Sequence, residues 1–283
     1  PRLAHALKIL VPVIFAYYGE DNRHEYLERV GQPWISLADS SAALINDDNL
    51  TASPGGFSVK GNTFADRRHC PEERFVSAVR PVVCSGVLVG PDLVLTAGHC
   101  MNDENQCGFT NFAFGYREEG AFLKSENVYR CKKIEVRKYN DEAKSIAEVL
   151  DYSLVRLDRP VTDFAPALFT RGAPSAIDQS TELLGFGYPE GLALKIMEGA
   201  KPREIFPGTF TANLDAYNGN SGSSVFNLSS GRLLGILADG AADVETDPIR
   251  GCTRSIRWPE NGGQGELMVR MEAILASLPV GLL

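Results

Sequence analysis

The chain has 283 residues, of which 44% are hydrophobic and 23% are charged, and this composition excludes an intrinsically disordered protein. The formal net charge is −8, and no run of lysine or arginine exceeds two residues, so the sequence indicates no nucleic-acid-binding surface.

The first apolar segment, at residues 3–18, is interrupted by His5, Lys8 and Pro12 and makes a poor membrane span. We expect it to open the folded protein as a strand or helix, and the alternative is the tail of a secretory signal sequence. No later stretch reaches the roughly 18 apolar residues that a transmembrane helix needs, so no membrane span is predicted.

Short strand-like runs bounded by turn residues recur through the rest of the chain. They lie at residues 41–45, 82–89, 93–96, 111–114, 153–157, 182–186, 224–226 and 233–237. This rhythm predicts an all-β barrel or sandwich. Near the end, apolar residues at helical spacing predict one amphipathic helix over residues 267–278.

The six cysteines form no Cys-x-x-Cys pair, and two of them sit in His-Cys dipeptides at residues 69–70 and 99–100. Adjacent ligands rarely close a tetrahedral site, so neither zinc nor any other metal or cofactor is predicted. Disulfides are the better interpretation. They indicate an oxidising compartment, either extracellular or periplasmic.

Ser221 lies in the segment N218-G-N-S-G-S-S224, which by itself is a weak motif. All four histidines precede it. A nucleophile elbow of the α/β-hydrolase kind needs its histidine last in the chain, so that class is excluded. Any histidine that activates Ser221 must therefore come first.

His99 follows the strand-like run at residues 93–96, where a side chain projects from a strand end, whereas His69 lies among charged residues with no strand before it. A catalytic imidazole needs a carboxylate to fix its tautomer. Asp151 opens an alternating apolar strand and is the best candidate. Asp141 and Asp158 are alternatives in polar turns.

Three short segments together carry a resemblance. T96-A-G-H-C100, D151-Y-S-L154 and G219-N-S-G-S223 resemble the trypsin-like, chymotrypsin-fold serine peptidases, with His, Asp and Ser in that order. The Gly-Asn-Ser-Gly-Ser sequence around Ser221 is similar to that of bacterial members of the family, including glutamyl endopeptidases.

The resemblance implies an all-β fold of two six-stranded antiparallel β-barrels with a C-terminal helix and an active site in the cleft between the barrels. Residues 35–160 would form the first barrel and residues 161–283 the second, with residues 1–34 as an N-terminal extension packing on them.

The same resemblance implies a secreted endopeptidase acting on proteins or peptides. Ser221 would attack the carbonyl, His99 would transfer the proton and Asp151 would orient His99. The backbone N–H groups of Gly219 and Ser221 would form the oxyanion hole. Asn220 stands where trypsin-type zymogens carry an activating aspartate, which predicts a loop held by neutral hydrogen bonds.

Substrate selection is also implied by position. Asp215 matches the acidic residue at the base of the trypsin pocket, which favours arginine or lysine at P1, and Ala238, Asp239 and Gly240 would line the pocket. Leu237 stands where glutamyl endopeptidases carry a histidine. Cleavage after glutamate is the alternative.

The resemblance further implies a Cys84–Cys100 bridge behind His99. The four remaining cysteines allow three pairings, of which Cys107–Cys131 and Cys70–Cys252 are favoured. Two other classes of function stay open at this point: a catalytically silent homologue that binds without cleaving, and a non-peptidase esterase.

Overall fold

The computed structural model describes residues 17–140, 142–171 and 176–283. Most of residues 3–18 and the alternative carboxylate Asp141 lie outside these ranges. The described N-terminal residues begin with two short strands, β1 (Tyr17–Tyr18) and β2 (Arg23–Glu25).

The first half of the chain forms a closed six-stranded antiparallel barrel, in the order β10-β11-β7-β6-β3-β8. The elements of this half, including a separate three-stranded sheet of β4, β5 and β9 and one helix, are β3 (Ser41–Asn46), β4 (Leu50–Ser53), β5 (Gly56–Val59), β6 (Val82–Gly90), β7 (Leu93–Thr96), α1 (Glu104–Phe109), β8 (Thr110–Phe114), β9 (Leu123–Lys124), β10 (Val128–Tyr139) and β11 (Asp151–Leu157).

The second half forms an eight-stranded sheet, in the order β14-β15-β21-β17-β16-β12-β13-β2. The elements that follow the barrel are β12 (Leu183–Gly187), β13 (Lys195–Ala200), β14 (Pro202–Ile205), β15 (Thr209–Ala212), β16 (Ser224–Asn227), β17 (Arg232–Asp239), β18 (Val244–Thr246), β19 (Thr253–Ser255), β20 (Arg257–Trp258), β21 (Glu266–Arg270) and α2 (Met271–Ser277).

The all-β, chymotrypsin-like class is thus confirmed, with one difference in detail. The expected second six-stranded barrel is an eight-stranded sheet. The second half supplies seven of its strands, since β13 and β14 are separate strands on either side of Lys201, and the N-terminal strand β2 adds the eighth at the edge by pairing with β13. A single cluster of buried apolar side chains includes Val87 and Leu95 of the barrel together with Phe186 and Ile236 of the sheet. The barrel and the sheet therefore pack against each other through a shared core.

The predicted C-terminal helix begins later than expected. Residues 266–270 form β21, which pairs with both β15 and β17, and the helix starts only at Met271. A short apolar run is compatible with both the helical and the strand repeat of apolar residues, so pairing with distant strands decides its conformation.

Three disulfides join the predicted partners: Cys84–Cys100, Cys107–Cys131 and Cys70–Cys252. The first closes a separation of 16 residues behind the turn that carries His99, and the last joins the two halves across 182 residues. All three pairings are confirmed. Within the described ranges, no helix has the length and apolar character needed to cross a membrane.

Candidate active site

His99 lies in a short 3-10 turn, Gly98–Cys100, directly after β7. A Cβ on Gly98 would lie 2.4 Å from the Lys138 carbonyl oxygen on β10 and 2.9 Å from Asp151 Oδ1 on β11, so only glycine fits between the turn and these two strands. The Cys84–Cys100 bridge ties the same turn to β6. The sequence A-G-H-C therefore fixes the backbone of His99.

Asp151 begins β11, which pairs with β7, and it binds His99 through both of its oxygens. The distance from His99 Nδ1 to Asp151 Oδ2 is 2.6 Å, and the His99 backbone N–H donates to Oδ1 at 2.9 Å. The carboxylate is almost fully buried, whereas the imidazole is 22% exposed. This arrangement favours the tautomer with its proton on Nδ1, which leaves Nε2 able to accept a proton.

Ser221 lies on the loop between Tyr217 and β16, wedged between the two halves. Its carbonyl oxygen accepts from the Ser85 N–H at 2.8 Å and lies 3.7 Å from Cys100 Sγ. The next residue, Gly222, donates to the Leu237 carbonyl at 2.8 Å. The fold thus brings residue 221 beside the turn that carries His99.

The Ser221 hydroxyl makes no hydrogen bond to His99 within the described residues. Catalytic hydrogen bonds in substrate-free enzymes are often long and form only when substrate is bound.

Gly219 turns the chain with a φ of +95°, and a Cβ there would lie 2.7 Å from the Tyr188 carbonyl oxygen. In the described part of the chain, the backbone N–H groups of Gly219 and Ser221 donate to no protein acceptor. Two free N–H groups on one tight loop can stabilise a developing negative charge.

Asn220 holds this loop with neutral groups. It is fully buried, its Oδ1 accepts from Ser223 Oγ at 3.0 Å, and its backbone N–H donates to the Tyr217 carbonyl at 2.9 Å. Neutral hydrogen bonding is thus observed at Asn220, but the loop is also held by a carboxylate, since the Asn218 N–H donates to Asp243 Oδ2 at 3.0 Å.

Gly222 provides a stability test of this packing. Its φ is +86°, and an added Cβ would lie 2.1 Å from the Ser85 carbonyl oxygen and 2.5 Å from Thr96 Oγ1. Because both the φ and the space are unfavourable, we expect Gly222→Ala to lower the free energy of unfolding by about 3–5 kcal/mol.

Urea unfolding measures this loss. Gly55→Ala is the matched control, since Gly55 has a φ of +82° but no atom within 4 Å of the added Cβ. It carries only the backbone penalty of about 1–2 kcal/mol. Equal losses in the two variants would contradict close packing at residue 222.

The residues predicted to bind the P1 side chain do not all line the same cavity. Asp239 and Gly240 line a cavity of about 310 Å³, together with Arg203 and Leu267, whereas Ala238 is buried beside it. Asp215 is 3% exposed, and its carboxylate faces the N-terminal segment, where it accepts from the Tyr18 N–H at 2.7 Å and the Asn22 N–H at 2.6 Å.

Burial raises the pKa of Asp215 to about 7, although the two N–H donors oppose the shift. Because the folded protein holds this proton more tightly than the unfolded chain, the group stabilises the fold at low pH. That contribution is lost as the pH rises from about 4 to about 7, and it amounts to about 4 kcal/mol.

We therefore expect Asp215→Asn, which cannot ionise, to remove this part of the pH dependence. Urea unfolding at pH 4 and pH 7, followed by tryptophan fluorescence, measures it. The exposed Asp163→Asn is the control and should keep the wild-type slope. Parallel slopes for wild type and Asp215→Asn would contradict the raised pKa.

Sequence reasoning did not find Tyr18 and Asn22 as partners of Asp215, or Glu266 as a fully buried carboxylate beside Tyr18. The hydrogen bond from Tyr18 to Asp215 joins residues 197 apart in the chain. No local pattern signals a contact over that separation.

Comparison with known proteins agrees with the geometry. The family model described as "Trypsin-like peptidase domain" matches residues 84–236. No match was found among curated protein sequences.

Two solved structures share the fold. A Glu endopeptidase in complex with MPD is similar with a TM-score of 0.53 and 13% identity, over 92% of this chain and 95% of that one. The VesB protease of Vibrio cholerae is similar with a TM-score of 0.50 and 13% identity, over 93% of this chain and 66% of that one.

Proposed function

Because the chain belongs to the trypsin-like peptidases, a family of serine endopeptidases, we propose that it hydrolyses peptide bonds through Ser221, His99 and Asp151. The observation that carries the proposal is the contact of both Asp151 oxygens with His99, beside the loop that holds Ser221. A histidine fixed in this way has one task for which the geometry is suited: accepting a proton at Nε2.

In the first step, the Ser221 oxygen forms a bond to the substrate carbonyl carbon while His99 Nε2 takes the hydroxyl proton. The resulting imidazolium is stabilised by the Asp151 carboxylate. His99 then gives that proton to the leaving amine as the peptide bond breaks, and an acyl-enzyme remains. Water repeats the sequence with His99 as base and releases the acid.

The N–H groups of Gly219 and Ser221 would bind the oxygen that becomes negative in the tetrahedral intermediate. Such donors act without reorganisation when the folded loop already holds them in place, and removing one costs about 3 kcal/mol in related sites. The positive φ of Gly219 supports this role, since it lets both donors lie on the same side of the loop.

We propose arginine or lysine at P1. Three acidic side chains that are buried or mostly shielded from water lie around the nucleophile loop and the end of β17: Asp215, Asp239 and Glu266. A shielded carboxyl group of this kind favours a cationic partner, because a cation offsets the cost of ionising it.

Cleavage after glutamate is the second candidate, because one structural neighbour is a Glu endopeptidase. That substrate would place an anion beside Asp239, although Arg203 lines the same cavity. No histidine occurs on β15, β17 or β21 to compensate, and Leu237 occupies the position expected for one.

Three disulfides fit an oxidising compartment, and we propose an extracellular or periplasmic location.

Labelling with a fluorophosphonate, followed by peptide mapping, tests the proposal. We expect one adduct, on Ser221, together with cleavage of a peptide library. No adduct would favour a catalytically silent binding protein, and turnover of esters without amides would favour an esterase.

A further inference from the structure

Glu266 is a fully buried carboxylate next to the candidate site that the proposed mechanism does not use. It begins β21. Its Oε1 accepts from the Tyr18 hydroxyl at 3.0 Å and from the Ala241 N–H at 3.4 Å. Its Oε2 is shielded from water and has no hydrogen-bond partner within the described ranges. An unpaired buried carboxylate oxygen is costly and calls for a donor.

The position of Glu266 connects it to the nucleophile. The Gly222 N–H binds the Leu237 carbonyl on β17, and that strand continues through Asp239, which pairs with β21. The chain then reaches Ala241, whose N–H binds Glu266. Glu266 therefore lies at the far end of a segment that begins beside Ser221.

The residues along this segment are small. Ala238 and Gly240 on the β17 side and Ala216 on the nucleophile loop are all buried. The cavity of about 310 Å³ lies beside this segment, where it is lined by Gly240 and by Gly265 and Leu267, the two chain neighbours of Glu266.

The charges around Glu266 select the partner. Burial raises its pKa well above the ordinary value, and nearby Asp243 and Asp239 raise it further. Arg203 lies over the Tyr18 ring at 4.6 Å, and its two terminal nitrogens donate to the carbonyl oxygens of Gly262 and Glu260, whereas its Nε has no partner within the described ranges. A carboxyl group held among other acids binds a cation rather than an anion, because only a cation offsets the cost of ionising it.

We propose that Glu266, rather than Asp215, binds the cationic side chain of the P1 residue through Oε2, while Tyr18 holds Oε1. This inference rests on the proposed peptidase function. Asp215 is the weaker candidate because each of its oxygens already accepts a backbone N–H from the N-terminal segment. The Glu266 carboxylate is fully buried, so binding requires the Tyr18 ring or residues 240–241 to shift.

The test measures binding of p-aminobenzamidine, a mimic of the arginine side chain, by its fluorescence. We expect Glu266→Gln to weaken binding about 100-fold, since a charge-assisted hydrogen bond is lost from a dry site. The exposed Glu182→Gln is the matched control and should bind like the wild type. In matched peptides, Glu266→Gln should lower kcat/KM for arginine relative to phenylalanine at P1 by a similar factor.

Two results would overturn the inference: an unchanged affinity in Glu266→Gln, or a loss that appears in Asp215→Asn and not in Glu266→Gln. Fluorophosphonate labelling of Ser221 in the same samples distinguishes failure of the Glu266 inference from failure of the proposed peptidase function. If p-aminobenzamidine binding depends on Glu266 but Ser221 is not labelled, the cation site is supported and the peptidase function is contradicted.

If Glu266→Gln does not fold, a crystal structure of the wild type with benzamidine decides. An amidine bonded to Glu266 Oε2 supports the inference, and an amidine bonded to Asp215 contradicts it.

Discussion

Replacing Ser221 with alanine is expected to lower kcat for peptide hydrolysis by about 10⁶-fold while KM changes little. Alanine removes the oxygen that forms the acyl-enzyme, and no other group at the site can replace it. The backbone N–H groups of residues 219 and 221 remain, so a residual acceleration over water of about 10³-fold should survive.

Steady-state kinetics with a peptide substrate, together with titration of the acyl-enzyme burst, measures the effect. Ser229→Ala is the matched control, because Ser229 is an exposed serine in the turn after β16. It should retain wild-type kcat and burst amplitude. Undiminished hydrolysis by Ser221→Ala would mean that the nucleophile lies elsewhere and that the triad is misassigned.

Much of the fold was predictable from local pattern. β7 begins and ends where the apolar run at residues 93–96 does, and β3, β6 and β16 differ from their predicted bounds by one residue. These strands are bounded by glycine, proline or polar turn residues, which stop a strand by chemistry that acts within a few residues.

The C-terminal region was less predictable because its pattern fits two structures. The apolar side chains of Leu267, Met268 and Val269 suit a helix, but each also faces a buried surface when the segment lies between β15 and β17. Whether the segment becomes a helix or a strand depends on its pairing with strands far away in the chain, so its intrinsic propensity is overridden.

The candidate site likewise contains residues that were predictable from local sequence and residues whose orientation was not. His99 and Asp151 were identifiable because each sits at a strand end with a recognisable local segment, and the barrel pairing of β7 with β11 then brings them together. The orientation of Asp215 was not predictable, because its partners lie on the N-terminal segment. The position of a carboxylate in a familiar segment predicts its location, whereas the direction it faces depends on the whole fold.

Asp151→Asn is expected to lower kcat by about 10⁴-fold with the fold intact. The amide oxygen can keep the bond to the His99 backbone N–H, which Asp151 Oδ1 accepts at 2.9 Å. The amide nitrogen then faces His99 Nδ1, where Oδ2 now lies at 2.6 Å. Because this nitrogen donates, Nδ1 must accept, and the ring proton moves to Nε2, which can no longer take the proton of Ser221.

The measurement is kcat against pH for the wild type, Asp151→Asn and the control Asp158→Asn. Asp158 is the competing carboxylate from the sequence, and it pairs with Arg159 in an exposed turn, so its variant should stay within about twofold of the wild type. Thermal unfolding shows whether both variants are folded. A kcat for Asp151→Asn within tenfold of the wild type would mean that the tautomer of His99 is set by another group, and the reverse ranking of the two variants would move the orienting carboxylate to Asp158.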